Sequence, residues 1–123
     1  MILVDTSVWI DHLRQGDAEL RSHLDASRVL AHPFVTGELA LGNLQNRDMV
    51  LNALQDLPQA TVATDEEVLR FIDQRTLFGT GIGYIDAHLL AAVSLSPGSV
   101  LWTRDKRLLT AATRLGLSAN AAH

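Results

Sequence analysis

Residues 1–10 read Met1-Ile2-Leu3-Val4-Asp5-Thr6-Ser7-Val8-Trp9-Ile10. Ile2, Leu3 and Val4 make a short apolar run, and Asp5 ends it. Trp9, Ile10 and Leu13 then recur at helical spacing. The pattern predicts a buried strand, a carboxylate at its carboxyl end, and a helix beginning directly after. In open α/β sheets ligands bind in the crevice beyond the carboxyl ends of the strands, so Asp5 is aimed at a site. The simpler alternative is that Asp5 only caps the helix. Thr6 and Ser7 can also cap, which would leave Asp5 free.

The same arrangement returns near the other end of the chain. Val100, Leu101 and Trp102 form a second buried run, Thr103-Arg104-Asp105 follows, and Leu108, Ala112 and Leu115 repeat at helical spacing before Gly116 closes the helix. Asp105 thus stands where Asp5 stands: strand, acid, helix. Two further acids fall on helix faces. His32-Pro33 opens a helix whose apolar face is marked by Phe34, Val35 and Leu41, and Glu38 lies inside that stripe. A carboxylate there should be paired, protonated or metal-bound; the structural alternative is a salt bridge to an arginine. A helix from about Tyr84 to Leu95 carries Ile85, Leu89, Leu90 and Val93 on one side, with Asp86 projecting into that sector. His88 points elsewhere on the wheel and reads as a surface or packing residue.

Between these motifs the chain alternates. Asp17 caps a helix with Leu20 and Leu24 on one face, and Arg28 to Ala31 is a second strand. Asn46 or Arg47 begins a helix with Val50, Leu54 and Leu57 in register, stopped by Pro58. Thr61 to Ala63 is a candidate edge strand. Thr64 and Glu67 make a capping box for a helix with Val68, Leu69 and Ile72 on one face. Gly79, Gly81 and Gly83 are read as a turn, since no strand leads into them and the phosphate-cradle spacing is absent. Leu117 begins a tail that can add a short strand and is expected to fray at its end. There is no internal repeat, low-complexity segment or linker.

The 123 residues suit one domain spanning the chain, and 47% hydrophobic residues exclude a disordered one. There is no cysteine, so neither disulfides nor thiolate ligands are available; this suits the reducing cytoplasm, the expected location. No apolar run is long enough to cross a membrane, and the first residues lack a signal peptide's basic flank. The net charge of −4 argues at first against a nucleic-acid partner. With Asp5, Glu38, Asp86 and Asp105 set aside, ten of the 14 carboxylates remain against 10 basic residues, and the balance is neutral.

Strands alternating with helices predict a mainly parallel sheet in an α/β/α sandwich, with right-handed crossovers bringing the strand ends to one edge. Four carboxylates converging there cannot all stay ionised without a counter-charge. Oxygen-only ligands suit Mg²⁺ or Mn²⁺ rather than zinc. Such a site activates water and clamps phosphodiester oxygens. Ser7 and Thr103 are candidates to hold a water or an acid from behind. Arg14, Arg104, Lys106 and Arg107 sit beside the motifs and can hold flanking phosphates; the plainer alternative for each is a solvated helix face.

Four segments carry a resemblance: Asp5-Thr6-Ser7-Val8-Trp9-Ile10-Asp11, Glu38-Leu39-Ala40-Leu41-Gly42, Gly83-Tyr84-Ile85-Asp86-Ala87-His88-Leu89-Leu90-Ala91 and Leu101-Trp102-Thr103-Arg104-Asp105-Lys106-Arg107-Leu108. In order, they resemble the successive motifs of the PIN-domain ribonucleases, most of all the VapC toxins of bacterial toxin–antitoxin pairs. The resemblance implies a PIN-like α/β/α fold, a homodimer, Mg²⁺- or Mn²⁺-dependent endoribonuclease activity, and inhibition by a VapB-like antitoxin that wraps the toxin. It carries the metal-site acids onto Asp5, Glu38, Asp86 and Asp105. Some members have a further acid shortly after the last. Lys106 and Arg107 stand there instead, so the resemblance does not extend to a complete second metal site.

Three other readings fit less well. A phosphotransfer receiver domain needs an acidic pair on the first strand, and no adjacent acid precedes Asp5. A haloacid-dehalogenase-like phosphatase needs an Asp where Ser7 stands. A non-catalytic domain of the same fold has no reason to keep all four acids.

Overall fold

β1 (Ile2–Val4) lies at the centre of a three-stranded sheet, hydrogen-bonded on one side to β2 (Val29–Leu30) and on the other to β3 (Val100–Trp102), all parallel. The computed structural model describes residues 1–119; the frayed end expected of the tail lies outside them. The register sets Ile2 against Val29 and Val100, and Val4 against Trp102. Successive strand residues point to opposite faces. Leu3 and Val4 are both buried, as are Val29 and Leu30, and Leu101 and Trp102. Both faces are therefore covered by helices, the arrangement expected of a parallel sheet whose strands read as unbroken apolar runs.

Seven helices are described: α1 (Thr6–Gln15), α2 (Ala18–Asp25), α3 (Pro33–Ala40), α4 (Arg47–Asp56), α5 (Asp65–Gln74), α6 (Tyr84–Ser94) and α7 (Lys106–Arg114). Asp17 caps α2 through Leu20 N–H, and the Thr64–Glu67 capping box opens α5. Gly116, at φ 71°, ends α7: its N–H reaches Thr113 O, and Leu117 N–H reaches Ala112 O. That pair of bonds is the Schellman closure. α6 is buried at every position from Ala87 to Val93. A helix apolar all round belongs in the middle of a domain, and this accounts for His88, which is 1% exposed and packs rather than facing solvent.

Four expectations are corrected. Thr61–Ala63 is not a strand; the chain touches the sheet one step earlier, where Ala31 pairs with Gln59 and Ala60 N–H donates to Ala31 O. Gln59 then donates its side-chain amide to carbonyls of α4 and Leu57, turning the chain away. The tail adds only a single bridge, Leu101 to Ser118. Leu69 is exposed, because the buried face of α5 runs through Val68 with Phe71 and Ile72. α3 is too short for the stripe expected of it: it ends at Ala40, Leu41 is 91% exposed, and Val35 and Leu39 form its buried face. Glu38 is consequently exposed.

His32 opens α3 from inside the core. Its Nδ1 accepts the Phe34 N–H at 3.0 Å, and Pro33 occupies the first turn, where no N–H is needed. Burial, and to a lesser degree the neighbouring His88, pushes the His32 imidazole from its ordinary 6.5 down to about 4. The unfolded chain takes up this proton first as pH falls. Stability therefore rises with pH between about 4 and 6.5 and is lost as pH drops through that window. The contribution is on the order of 2–3 kcal/mol. His32→Asn keeps an acceptor for the cap and removes the titration. Urea unfolding followed from neutral to acid pH is expected to show a shallower loss of stability in the variant than in the wild type.

Candidate metal centre and active site

Asp5 does not cap α1. Its backbone occupies the cap position, with an extended φ of −70° and ψ of 157°, but its side chain makes no cap hydrogen bond. The carboxylate is held from elsewhere. Oδ2 accepts the Ser7 hydroxyl at 2.7 Å and the Thr103 hydroxyl at 2.8 Å. Each of those oxygens in turn receives a backbone N–H from the turn between β3 and α7: Arg104 donates to Ser7 Oγ at 3.0 Å, and Asp105 to Thr103 Oγ1 at 3.1 Å. Asp5 N–H also donates to Trp102 O at 2.9 Å. The two strand ends are thus stitched into one unit. Ser7 and Thr103 stand behind Asp5, where the sequence suggested them.

The other three acids are positioned separately. Glu38 Oε1 accepts the Thr6 hydroxyl at 2.8 Å, and among the described residues no arginine pairs with it. The salt-bridge alternative therefore does not hold. Asp105 is a helix cap: Oδ1 accepts Leu108 N–H at 3.0 Å. Asp86, half-buried in the first turn of α6, accepts Gly83 N–H at 3.2 Å.

These acids feel one another. The Asp86 carboxyl is pushed above its ordinary value, first by desolvation and then by the charges of Asp5, Asp105 and Glu38, against the lowering effect of the Gly83 N–H. Yet among the described residues no three His, Asp or Glu side chains are grouped so as to hold one ion directly. The four stand within electrostatic reach, not in a closed cage. That suits a small hard cation, which keeps several waters and uses one or two carboxylates. The donor set, oxygen only with a repulsion that a cation relieves, fits Mg²⁺ or Mn²⁺.

The basic residues divide. Arg104 forks between two carboxylates, Nη1 to Asp11 Oδ2 at 2.6 Å and Nη2 to Asp17 Oδ2, with its carbon 5.6 Å from the Trp102 ring. Asp17, expected only as a cap, therefore has a second role, and its carboxyl is lowered by the Leu20 N–H and by Arg104. Arg104, expected at the substrate, lies at the surface with its guanidinium held by two acids, which ties α1 and α2 to the β3–α7 turn. Spacing gave no sign of this, because Asp11 and Asp17 lie 93 and 87 residues away in sequence. Arg14 lines a groove of about 500 Å³ together with Glu38, Leu39 and Asn43. Lys106 and Arg107 are exposed and make no ion pair among the described residues.

A three-stranded parallel sheet covered by helices on both faces carries acids at the carboxyl ends of two of its strands, β1 and β3. The model of the PIN domain matches residues 2–113, and the chain belongs to that family. Within it, Ribonuclease VapC32 of Mycobacterium tuberculosis, in strains CDC 1551 / Oshkosh and ATCC 25618 / H37Rv, is 51% identical over 118 residues, 96% of this chain and 95% of the relative. Two solved structures share the fold. FitAB bound to an IR36 DNA fragment gives a TM-score of 0.59 at 21% identity, over 92% of this chain and 91% of the other. PAE2754 from Pyrobaculum aerophilum gives 0.58 at 22%, over 99% and 96%.

The division among the cations is measurable. Arg104→Gln is expected to lower stability by about 1 kcal/mol, the upper range for an accessible but forked pair. Arg107→Gln is expected to stay within about 0.5 kcal/mol of wild type. Urea denaturation of both at neutral pH and moderate salt checks the contrast.

Proposed function

We propose that the chain is a Mg²⁺- or Mn²⁺-dependent endoribonuclease, the toxin of a VapC-type toxin–antitoxin pair. The observation that carries this reading is that Asp5, Asp105 and Glu38 all lie within electrostatic reach of Asp86, whose carboxyl is raised first by burial and then by those three charges, in a chain half identical to a ribonuclease over almost its whole length. Asp5, Glu38, Asp86 and Asp105 would hold the cation. When bound, it would lower the pKa of a water molecule and neutralise charge building on the phosphodiester. The hydrolysis adds the water oxygen to phosphorus, breaks one P–O ester bond, and passes the water's proton to the departing oxygen.

The chain's own residues orient and bind. Ser7 and Thr103 hold Asp5 Oδ2 in one place, so a ligand meets a carboxylate whose rotamer is already chosen. Thr6 does the same for Glu38. Lys106 and Arg107, unpaired beside Asp105, supply charge for flanking phosphates, and Arg14 does so in the groove it shares with Glu38. Arg104 donates its backbone N–H to Ser7 Oγ and its guanidinium to Asp11 and Asp17, and is not a phosphate ligand in this reading. A VapB-like antitoxin covering the crevice would block the activity. The chain acts as a homodimer. Val62, Leu69, Phe78, Tyr84 and Ile85 are exposed on or beside α5 and α6, an apolar area suited to a second copy.

Asp5→Asn tests the site. The amide keeps the hydrogen-bonded shape and removes one charge from a repelling set. RNA cleavage in Mn²⁺ is expected to be abolished, while the EDTA-treated variant stays as stable as wild type or gains on the order of 0.5–2 kcal/mol. Added Mn²⁺ should raise the melting temperature of wild type more than that of the variant, because binding to the folded state alone shifts the equilibrium. A variant that melts well below wild type in EDTA would show Asp5 to be a structural residue.

A further inference from the structure

The turn around Gly81, which the sequence offered only as a loop, faces the first turn of α7. Gly81 has φ +84°, and a Cβ built there would lie 3.1 Å from Cδ and Nη1 of Arg107. The Arg107 side chain therefore rests directly on the bare backbone of this glycine. Thr80, Lys106, Arg107, Thr110, Ala111 and Arg114 line one open groove of about 240 Å³. Three of those six are cations, and no carboxylate is among them. The hydroxyls are turned inward, Thr80 to Leu77 O and Thr110 to Lys106 O. Arg114 is anchored on the carbonyls of Arg75 and Thr76. Lys106 and Arg107 are left as the unpaired charges of the groove.

We propose that this groove is the track for the single-stranded RNA flanking the scissile phosphate, with Arg107 held in place by its seat on Gly81. The inference rests on the nuclease reading above. Three arguments favour an RNA strand. The groove includes Lys106, which follows Asp105 directly in the chain and shares the start of α7 with it. A chain of net charge −4 favours a polyanion only where cations gather without acids, as they do along this strip. From Lys106 to Arg114 the helix rises about 12 Å, the length of roughly three or four stacked nucleotides. A guanidinium pressed against backbone has lost much of its rotamer freedom before binding, so fixing it on a phosphate costs less entropy.

The test is binding of a single-stranded RNA of about 12 nucleotides to the intact protein in EDTA, across a range of salt. Lys106→Gln/Arg107→Gln is expected to weaken binding about tenfold and to make the salt dependence shallower by about 1.4 in log–log slope, the release expected for two single-strand phosphate contacts. Gly81→Ala and Gly79→Ala make a matched pair. Both sit at positive φ, +84° and +75°, but nothing lies within 4 Å of a Cβ at Gly79. Gly81→Ala should weaken RNA binding several-fold, and Gly79→Ala should not.

Unchanged affinity and slope in the double variant, or equal effects of the two glycine variants, would overturn the proposal. So would loss of binding to polyglutamate with RNA binding intact, which would assign the groove to an acidic protein segment. Cleavage by the wild type in Mn²⁺ is scored separately. RNA bound through the groove but left uncut would refute the nuclease reading alone, and RNA cut by a chain whose double variant binds normally would refute the groove alone.

Discussion

Two hydroxyl groups meeting on one oxygen hold the active end of this molecule together. Ser7 comes from the first turn of α1 and Thr103 from the end of β3, and both donate to Asp5 Oδ2. A hydroxyl has a single proton to give, and here both protons go to the same acceptor. The lone pairs that remain take backbone N–H groups from residues 104 and 105. Two turns joined to different strands are fixed to each other by these bonds. The carboxylate at the centre is 6% exposed, a costly position for an acid unless its surroundings are polar in this way.

Around that knot, charge is sorted by task. Arg104 is held by Asp11 and Asp17 and works on the fold. Lys106 and Arg107, the next basic residues along the chain, have no acidic partner among the described residues and face solvent. Arg104 precedes the cap residue Asp105 and Lys106 follows it, so the start of one helix supplies a structural cation and a free one only two positions apart. The acids divide likewise. Asp105 gives one oxygen to its own helix, whereas Asp5 gives none to α1.

How much of this was legible follows from range. Strand, acid and helix are consecutive in sequence, so β1, β3, their helices and the positions of Asp5 and Asp105 could be read from apolar runs and breaks. The capping box at Thr64 is likewise local and is present as expected. Glu38 was read as a carboxylate inside an apolar stripe, but the wheel assumed that α3 continued through Leu41; the helix stops at Ala40 and Glu38 is exposed. The strand expected at Thr61–Ala63 failed because one bridge at Gln59 satisfies the edge of the sheet. The partners of Arg104 and the seat of Arg107 on Gly81 are contacts between distant segments, for which a single sequence offers no period or cap to read.

The sheet order has a consequence for how the chain comes to be made. β1 is central and is made before both of its partners, one of which begins only at Val100. The Thr103–Asp5 bond spans 98 positions. Pairings of such separation must wait until the intervening chain has been synthesised and its loop closed. Everything up to Ser99 can emerge with helices forming while the carboxylate of Asp5 has only Ser7 beside it. Translation itself then delays assembly of the acidic cluster until β3 and α7 exist, so a product released before Val100 lacks both the Thr103 hydroxyl and the Asp105 carboxylate.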